Sequence, residues 1–257
     1  MRNSRTLQRF HDGDAVRVCA LGHNIPPYVS LAARAGFDCI WFDLEHRAWE
    51  DREVQALLRL FHQYDIDCML RPSTRERAKL YRYLEDGATG FMMPHISTPE
   101  LAREIVSAVK FPPLGDRGLD GAGYDSDYYS HGFDEYVEHA NRETFLVLQI
   151  ETPQGVENVE QIASIPGVDA LFVGPGDLGL RYRTEGRPEE LEKAIERVAK
   201  ACRSAGIAWG IPVGSQADIQ KRRAQGAQLL PIGGEFMWLK QALEQAVGLY
   251  EEETIII

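Results

Sequence analysis

Two carboxylates stand where apolar runs end. Phe145-Leu146-Val147-Leu148-Gln149-Ile150 leads into Glu151, and Ala170-Leu171-Phe172-Val173 leads through Gly174-Pro175-Gly176 into Asp177. Carboxylates that converge repel one another unless a proton or a cation lies between them. A hard divalent ion such as Mg or Mn takes one or two protein carboxylates and completes its octahedron with water and substrate oxygens. Glu151 and Asp177 are therefore the expected metal ligands. Taken alone, Glu151 has a second possible use, on the N-terminus of the helix that Thr152-Pro153 starts.

Two earlier run ends carry complementary chemistry. Asp43, Glu45 and His46 follow Cys39-Ile40-Trp41-Phe42, and Arg71 follows Cys68-Met69-Leu70. An isolated acidic and histidine cluster can be a solvated strand exit. Imidazole, however, titrates near neutrality, and a neighbouring carboxylate can orient it as a base. A guanidinium serves equally in a structural ion pair or in binding a planar carboxylate or enolate. Gly174-Pro175-Gly176-Asp177-Leu178-Gly179 matches the dinucleotide pattern G-x-G-x-x-G. Its late position, its proline and an aspartate that would face pyrophosphate all oppose that use. The N–H groups of Gly174 and Gly176 can instead form an anion nest for a substrate carboxylate. Together the four run ends point to a metal-assisted carbon–carbon lyase.

The other candidates carry less. His23 and His95 read as pocket residues without a defined role, and His11, His62, His131 and His139 fall in polar or helical contexts. Cys19, Cys39, Cys68 and Cys202 are too widely spaced for a zinc ribbon or redox pair and read as buried thiols.

Such a site needs strands whose ends converge. Runs at Val16–Leu21, Cys39–Phe42, Asp67–Leu70, Gly90–Met93, Phe145–Ile150, Ala170–Val173, Ile207–Val213 and Gln228–Ile232 read as strands. Between them lie amphipathic stretches such as Glu53–His62 and Glu190–Ala205. Glycines at 36, 87, 167, 206 and 226 fit helix C-caps before the next strand. Eight such units in 257 residues predict one TIM-barrel domain, 1–257, with its catalytic groups at the C-terminal strand ends. A doubly wound open sheet is the alternative. The Gly/Pro-rich insertion from Phe111 to Tyr129 is expected to be a lid, a binding loop or a subunit contact. The apolar run Thr254–Ile257 fits either docking on a neighbouring subunit or a disordered tail.

The net charge of -11 argues against nucleic acid or an anionic membrane as a partner. No apolar stretch is long enough to span a bilayer, and Met1–Thr6 leads into polar sequence without a signal-peptide core. A soluble cytoplasmic protein is expected.

With these residues in place, the chain resembles the class II, metal-dependent pyruvate aldolases of the 2,4-dihydroxyhept-2-ene-1,7-dioate aldolase and 2-dehydro-3-deoxyglucarate aldolase family. The resemblance covers roughly residues 15 to 245. It rests on Gly36-Phe37-Asp38 through Asp43-Leu44-Glu45-His46, Leu70-Arg71-Pro72-Ser73, Tyr83-Leu84-Glu85-Asp86-Gly87, Phe111-Pro112-Pro113 with Arg117-Gly118, Gln149-Ile150-Glu151-Thr152, and Gly167-Val168-Asp169 through Gly174-Pro175-Gly176-Asp177-Leu178.

The resemblance implies a hexamer of TIM barrels with C-terminal helices exchanged between subunits. It also implies reversible aldol cleavage of a 4-hydroxy-2-oxo acid to pyruvate plus an aldehyde, through a metal-stabilised pyruvate enolate. Glu151 and Asp177 would hold Mg, Mn or Co, and the backbone at Gly176 and Asp177 would receive the pyruvate carboxylate. His46 would be the base, supported by Asp43. Arg71 would stabilise the enolate, and Gln149 would lie near the pyruvyl group. Glu85, at a position that is often Asp, would contribute across a subunit boundary. Ala208–Val213 and the loop Leu119–Tyr129 depart from the pattern and would shape the aldehyde pocket. Two other readings stand beside this one: a citrate-lyase-like acyl-CoA lyase, and a non-catalytic barrel acting in binding or assembly. A Schiff-base aldolase is disfavoured, because every lysine falls in a helical or helix-end context.

Overall fold

The computed structural model describes residues 1–251; the apolar run Thr254–Ile257 lies outside the described residues. Eight parallel strands close into one barrel in chain order: β1 Val16–Leu21, β2 Cys39–Asp43, β3 Asp67–Arg71, β4 Gly90–Met93, β5 Phe145–Ile150, β6 Ala170–Val173, β7 Ala208–Gly210 and β8 Leu229–Gly234. Closure removes the doubly wound alternative, because β1 pairs with both β2 and β8.

The period of two along each strand sorts side chains between two cores. Cys39, Met69, Met92, Val147 and Phe172 fill the barrel interior. Ile40, Leu70, Met93, Leu148 and Leu171, their neighbours in sequence, face the surrounding helices. Continuing the inward rows toward the C-terminal ends brings in Asp43 after Cys39 and Trp41, Arg71 after Met69, and Gln149 after Val147. The same rule that fills the core therefore aims these polar groups into the mouth.

Gly36, Gly87, Gly167, Gly206 and Gly226 all have left-handed φ values, between 72° and 113°, at the turns into the next strand. The seventh strand is shorter than its apolar run, ending at Gly210. Pro212 has no N–H to continue a ladder. Ile211 and Val213 still donate to Leu229 O and Pro231 O at 3.1 and 2.9 Å.

A helix that the polar start of the chain conceals, Arg5–Asp12, closes the N-terminal end. Ser4 caps it, Leu7 and Phe10 pack on the interior core, and the fully buried Asp67 accepts from Ser4 Oγ and Thr6 N at 2.8 and 2.7 Å. The Phe111–Tyr129 insertion is held on the helix that ends at Glu85. Tyr124 N donates to Glu85 O at 2.7 Å, and buried Arg117 pairs with Asp125 at 2.9 Å and lies over the Phe111 ring. Among the described residues, none of its hydrogen bonds reaches a strand-end carboxylate. Tyr128 and Tyr129 at its end, and Phe133 just beyond it, are exposed.

No helix among the described residues is long and apolar enough to cross a membrane.

Candidate active site

Asp43 and Arg71, the last residues of β2 and β3, are directly paired in the ladder. Arg71 Nε and Nη2 donate to the two Asp43 oxygens at 3.0 and 2.8 Å, and Nη1 stands 3.1 Å from Glu45 Oε2. The guanidinium lies over the Trp41 indole at 4.6 Å, and Trp41 meets Phe172 edge-on at 5.6 Å. Arg71 is thus fixed from below by an aromatic face and at its edge by two carboxylates. Burial pushes the Asp43 carboxyl up. The Arg71 guanidinium outweighs it, with the Glu45 and His46 amides, and holds the group below the usual carboxylate range.

Glu151 lies just past β5 and is only 2% exposed. Gln149 Nε2 donates to its Oε2 at 2.6 Å, and His95 N–H donates to its Oε1 at 2.7 Å. Burial raises the Glu151 pKa; the charges of Glu45 and Asp177 add to this, and the His95 contacts oppose it. Gly174, next to Glu151 across the β5–β6 ladder, has no room for a side chain. An added Cβ would sit 2.8 Å from Glu151 Oε2 and from Gln149 Nε2.

The structure divides the two glycines of the expected anion nest. Gly174 N–H is spent on Ile150 O at 3.0 Å, so this residue supplies space instead of a donor. Gly176 and Asp177 lie in the first turn of the helix Pro175–Thr184, which has no side-chain cap, and their N–H groups point beyond the helix end. Asp177 is half exposed, 3.6 Å from Arg181.

His46 has an exposed ring 3.6 Å from Glu45. Asp43 reaches it through the backbone, with His46 N 3.5 Å from Oδ1, and not through the imidazole. Sequence reasoning gave two participants no defined part. Glu45 touches Arg71, His46 and His95. His95, after β4, stands between Glu45 and Glu151, at 3.2 Å from Nε2 and 2.9 Å from Nδ1. The signal for His95 was its place after Met93-Pro94, at the end of a fourth strand.

A cavity of about 310 Å3 opens beside these groups, between Glu45, His95, Pro94 and the Pro72–Arg75 turn. A second, of about 420 Å3, lies at the opposite end of the barrel beside Phe10, Arg203 and Trp209, remote from the carboxylates.

Four carboxylates gather here, with Arg71 on Asp43 and Glu45 and the exposed Arg181 on Asp177, and the carboxylate excess that is left invites a divalent ion. Among the described residues no three His, Cys, Asp or Glu side chains are already gathered round one point to hold a metal. The donor chemistry still suits a pair of carboxylates completed by small-molecule oxygens. Glu151 is desolvated, and Gln149 Oε1 is buried beside it without a partner.

The HpcH/HpaI aldolase/citrate lyase family model matches residues 20–242. Among curated relatives, a 2-keto-3-deoxy-L-rhamnonate aldolase of Klebsiella pneumoniae is 30% identical over 226 residues, 87% of this chain and 84% of the relative. A hydroxypyruvate/pyruvate aldolase of Pseudomonas aeruginosa is 30% identical over 250 residues, 96% of this chain and 93% of the relative. Among solved structures, an HpcH/HpaI aldolase from Desulfitobacterium hafniense superposes with a TM-score of 0.89 at 30% identity, covering 96% of each chain.

Proposed function

The chain belongs to the HpcH/HpaI aldolase/citrate lyase family, and from that premise we propose that it catalyses reversible aldol cleavage of a 4-hydroxy-2-oxo acid to pyruvate and an aldehyde. It is a carbon–carbon lyase. The observation that carries the reading is the Asp43–Arg71–Glu45 array facing Glu151 inside one barrel mouth. The relatives at 30% identity are named aldolases, which favours this reading over an acyl-CoA lyase.

A divalent ion, Mg, Mn or Co, would be held by Glu151 and Asp177 and would supply Lewis-acid polarisation of the 2-oxo group. The chain's own groups account for the remaining work. The N–H groups of Gly176 and Asp177 receive the pyruvyl carboxylate, and Gln149 orients Glu151 beside it. His46 takes the proton from the C4 hydroxyl as the C3–C4 bond breaks, and the aldehyde leaves with its new carbonyl. The bonding pair passes to C3 and is delocalised on to the C2 oxygen, where the Arg71 guanidinium neutralises it. Asp43 keeps the guanidinium plane in place. Protonation at C3 then yields pyruvate.

A Schiff-base route is disfavoured. Lys110 is the one buried lysine among the described residues, and its ammonium is spent on Thr144 O and Asn141 O at the N-terminal end of β5, away from the mouth.

The assembly forms part of the same proposal. Residues 1–257 act as one cytoplasmic aldolase domain, and the last helix, Glu235–Glu251, is exchanged within a hexamer. Phe236, Leu239, Leu243 and Val247 line that helix at helical spacing, each 49–60% exposed, which supports a partner on that face.

Pyruvate release measured across a panel of 4-hydroxy-2-oxo acids with Mg, Mn and Co tests the reaction. Turnover of at least one member is expected. Full activity after chelation, or an imine trapped by borohydride, would overturn the metal-dependent assignment.

A further inference from the structure

The end of the barrel remote from Glu151 holds a cavity of its own. About 420 Å3 in volume, it opens between the helix Arg5–Asp12, the helix Glu190–Ala205 and the turns into β6, β7 and β8. Leu7, Phe10, Val168 and Ile207 give it apolar walls. Trp209, the middle residue of β7, also lines it and is only 2% exposed, yet its indole Nε1 is buried without a hydrogen-bond partner. An indole N–H can only donate, so an acceptor is missing at this spot.

Arg203 supplies a charge beside it. Its Nη2 donates to Gln225 O at 3.2 Å, and among the described residues it pairs with no carboxylate. A Cβ placed on Gly226 would stand 3.8 Å from Arg203 Nη2 and 3.8 Å from Trp209 Nε1, with nothing else beyond its chain neighbours within 4 Å. The two donors therefore border one space, which the glycine leaves open. The one carboxylate in the lining, Asp169, is already matched: Oδ2 accepts from Leu146 N at 2.7 Å and lies 3.6 Å from the Lys110 ammonium. Gln228 Nε2 is spent on the carbonyls of Arg9, Phe10 and Asp14. His11 lines the cavity as well and is exposed. What the cavity still offers a ligand is a guanidinium and an indole N–H, both donors, set among apolar walls.

We propose that this cavity binds a small monocarboxylate with an apolar body, its oxygens taken by Arg203 and the Trp209 N–H and its body lying among Leu7, Phe10 and Ile207. Guanidinium and carboxylate make charge-assisted bonds, stronger than those between neutral groups. One unmatched cation balances one negative charge, and the nearby Asp169 disfavours a second. The volume falls within the range of small-molecule sites. This site is separate from the barrel mouth, so its occupancy does not depend on the aldolase reading.

The test is made on the full chain with its four tryptophans isotope-labelled at the indole nitrogen. Benzoate is the probe, benzamide its uncharged counterpart, and inorganic phosphate an anion without an apolar body. Benzoate is expected to move the Trp209 indole N–H resonance, identified by its loss in Trp209→Phe. Calorimetry should show benzoate bound about ten- to a hundredfold more weakly by Arg203→Gln and more weakly also by Trp209→Phe, with both variants unfolding at temperatures close to wild type. Glu151→Gln, altered at the opposite end, should respond as wild type does. A Trp209 resonance unmoved by millimolar benzoate, phenylacetate and 4-methyl-2-oxopentanoate overturns the proposal. So does a response that survives in Arg203→Gln or disappears in Glu151→Gln. A response to benzamide or phosphate equal to that with benzoate overturns the ligand class.

Discussion

Arg71 and Asp43 grip each other through two parallel N–H···O contacts, 3.0 and 2.8 Å long, from directly paired ends of β3 and β2. The pair joins fold to chemistry, because the carboxylate that anchors the strand end also sets the plane of the guanidinium. Asp43→Asn keeps the shape but replaces one charged acceptor by an amide donor facing Arg71. Catalysis is expected to fall by roughly a hundredfold or more, with a stability loss of about 1–3 kcal/mol for the unmatched buried group. Steady-state kinetics and thermal unfolding read the two effects separately. Arg71→Lys should lose comparable activity, since one ammonium cannot reproduce the fork.

Gly174 and Gly176 look alike in sequence and should behave oppositely. An added methyl at Gly174 meets Glu151 Oε2 and Gln149 Nε2 at 2.8 Å, whereas at Gly176 nothing lies within 4 Å. Gly174→Ala must therefore displace Glu151, lowering activity by about a hundredfold and stability by about 1–3 kcal/mol. Gly176→Ala keeps its N–H and the helical backbone, and its kcat/KM should stay near wild type. Equal effects of the two substitutions would contradict this division of labour.

The contrast shows what was legible in the sequence. Position at the ends of apolar runs was enough to bring Asp43, Arg71 and Gln149 to the barrel mouth, and the structure adds the reason they point inward, since the period that buries Cys39, Met69 and Val147 continues to these groups. The eight runs and the five left-handed glycines at the turns into the strands followed from local chemistry in the same way, although Gly167 stands three residues past the C-cap Ser164 and caps no helix. What escaped depends on contacts that no spacing encodes. The part of His95 follows from one left-handed φ that turns two nitrogens on to Glu151. The carboxylate of Asp43 is taken by Arg71, so its reach to His46 is through the backbone. Helix Arg5–Asp12 is polar on all but a narrow face, and only the open end of a barrel explains why Leu7 is buried with Phe10 packed half-buried beside it.

Glu85 gives a pH dependence of known sign. Burial at the end of its helix raises its pKa to about 7; the charges of Asp125, Asp120 and Asp86 add to the effect, and Arg117 opposes it. A carboxyl whose folded pKa lies above its unfolded value of about 4.3 binds more protons in the folded state between those limits. Stability contributed by this group is present below pH about 4.3 and is lost as pH rises to about 7. Glu85→Gln should remove that loss, flattening the unfolding temperature across the window and stabilising the protein at pH 8 relative to wild type. A profile parallel to wild type through the window would refute the assignment.

Glu151 provides the decisive test of the metal. Its carboxylate is buried, raised in pKa by desolvation, and adjacent to the charges of Glu45 and Asp177, so its ionised form is poorly stabilised unless a cation joins it. Chelation should abolish pyruvate release, and added Mg, Mn or Co should restore it. Glu151→Gln has nearly the same shape and removes the charge. It should bind the ion far more weakly, lose about a hundredfold or more in kcat/KM, and regain little at high metal concentration. Its fold should not suffer in proportion, because replacing a buried, poorly compensated carboxylate by an amide removes a desolvation cost. Unfolding measured without metal should therefore show Glu151→Gln at least as stable as wild type, and added Mn should then raise the unfolding temperature of wild type alone. A variant equally stabilised by Mn would place the ion elsewhere.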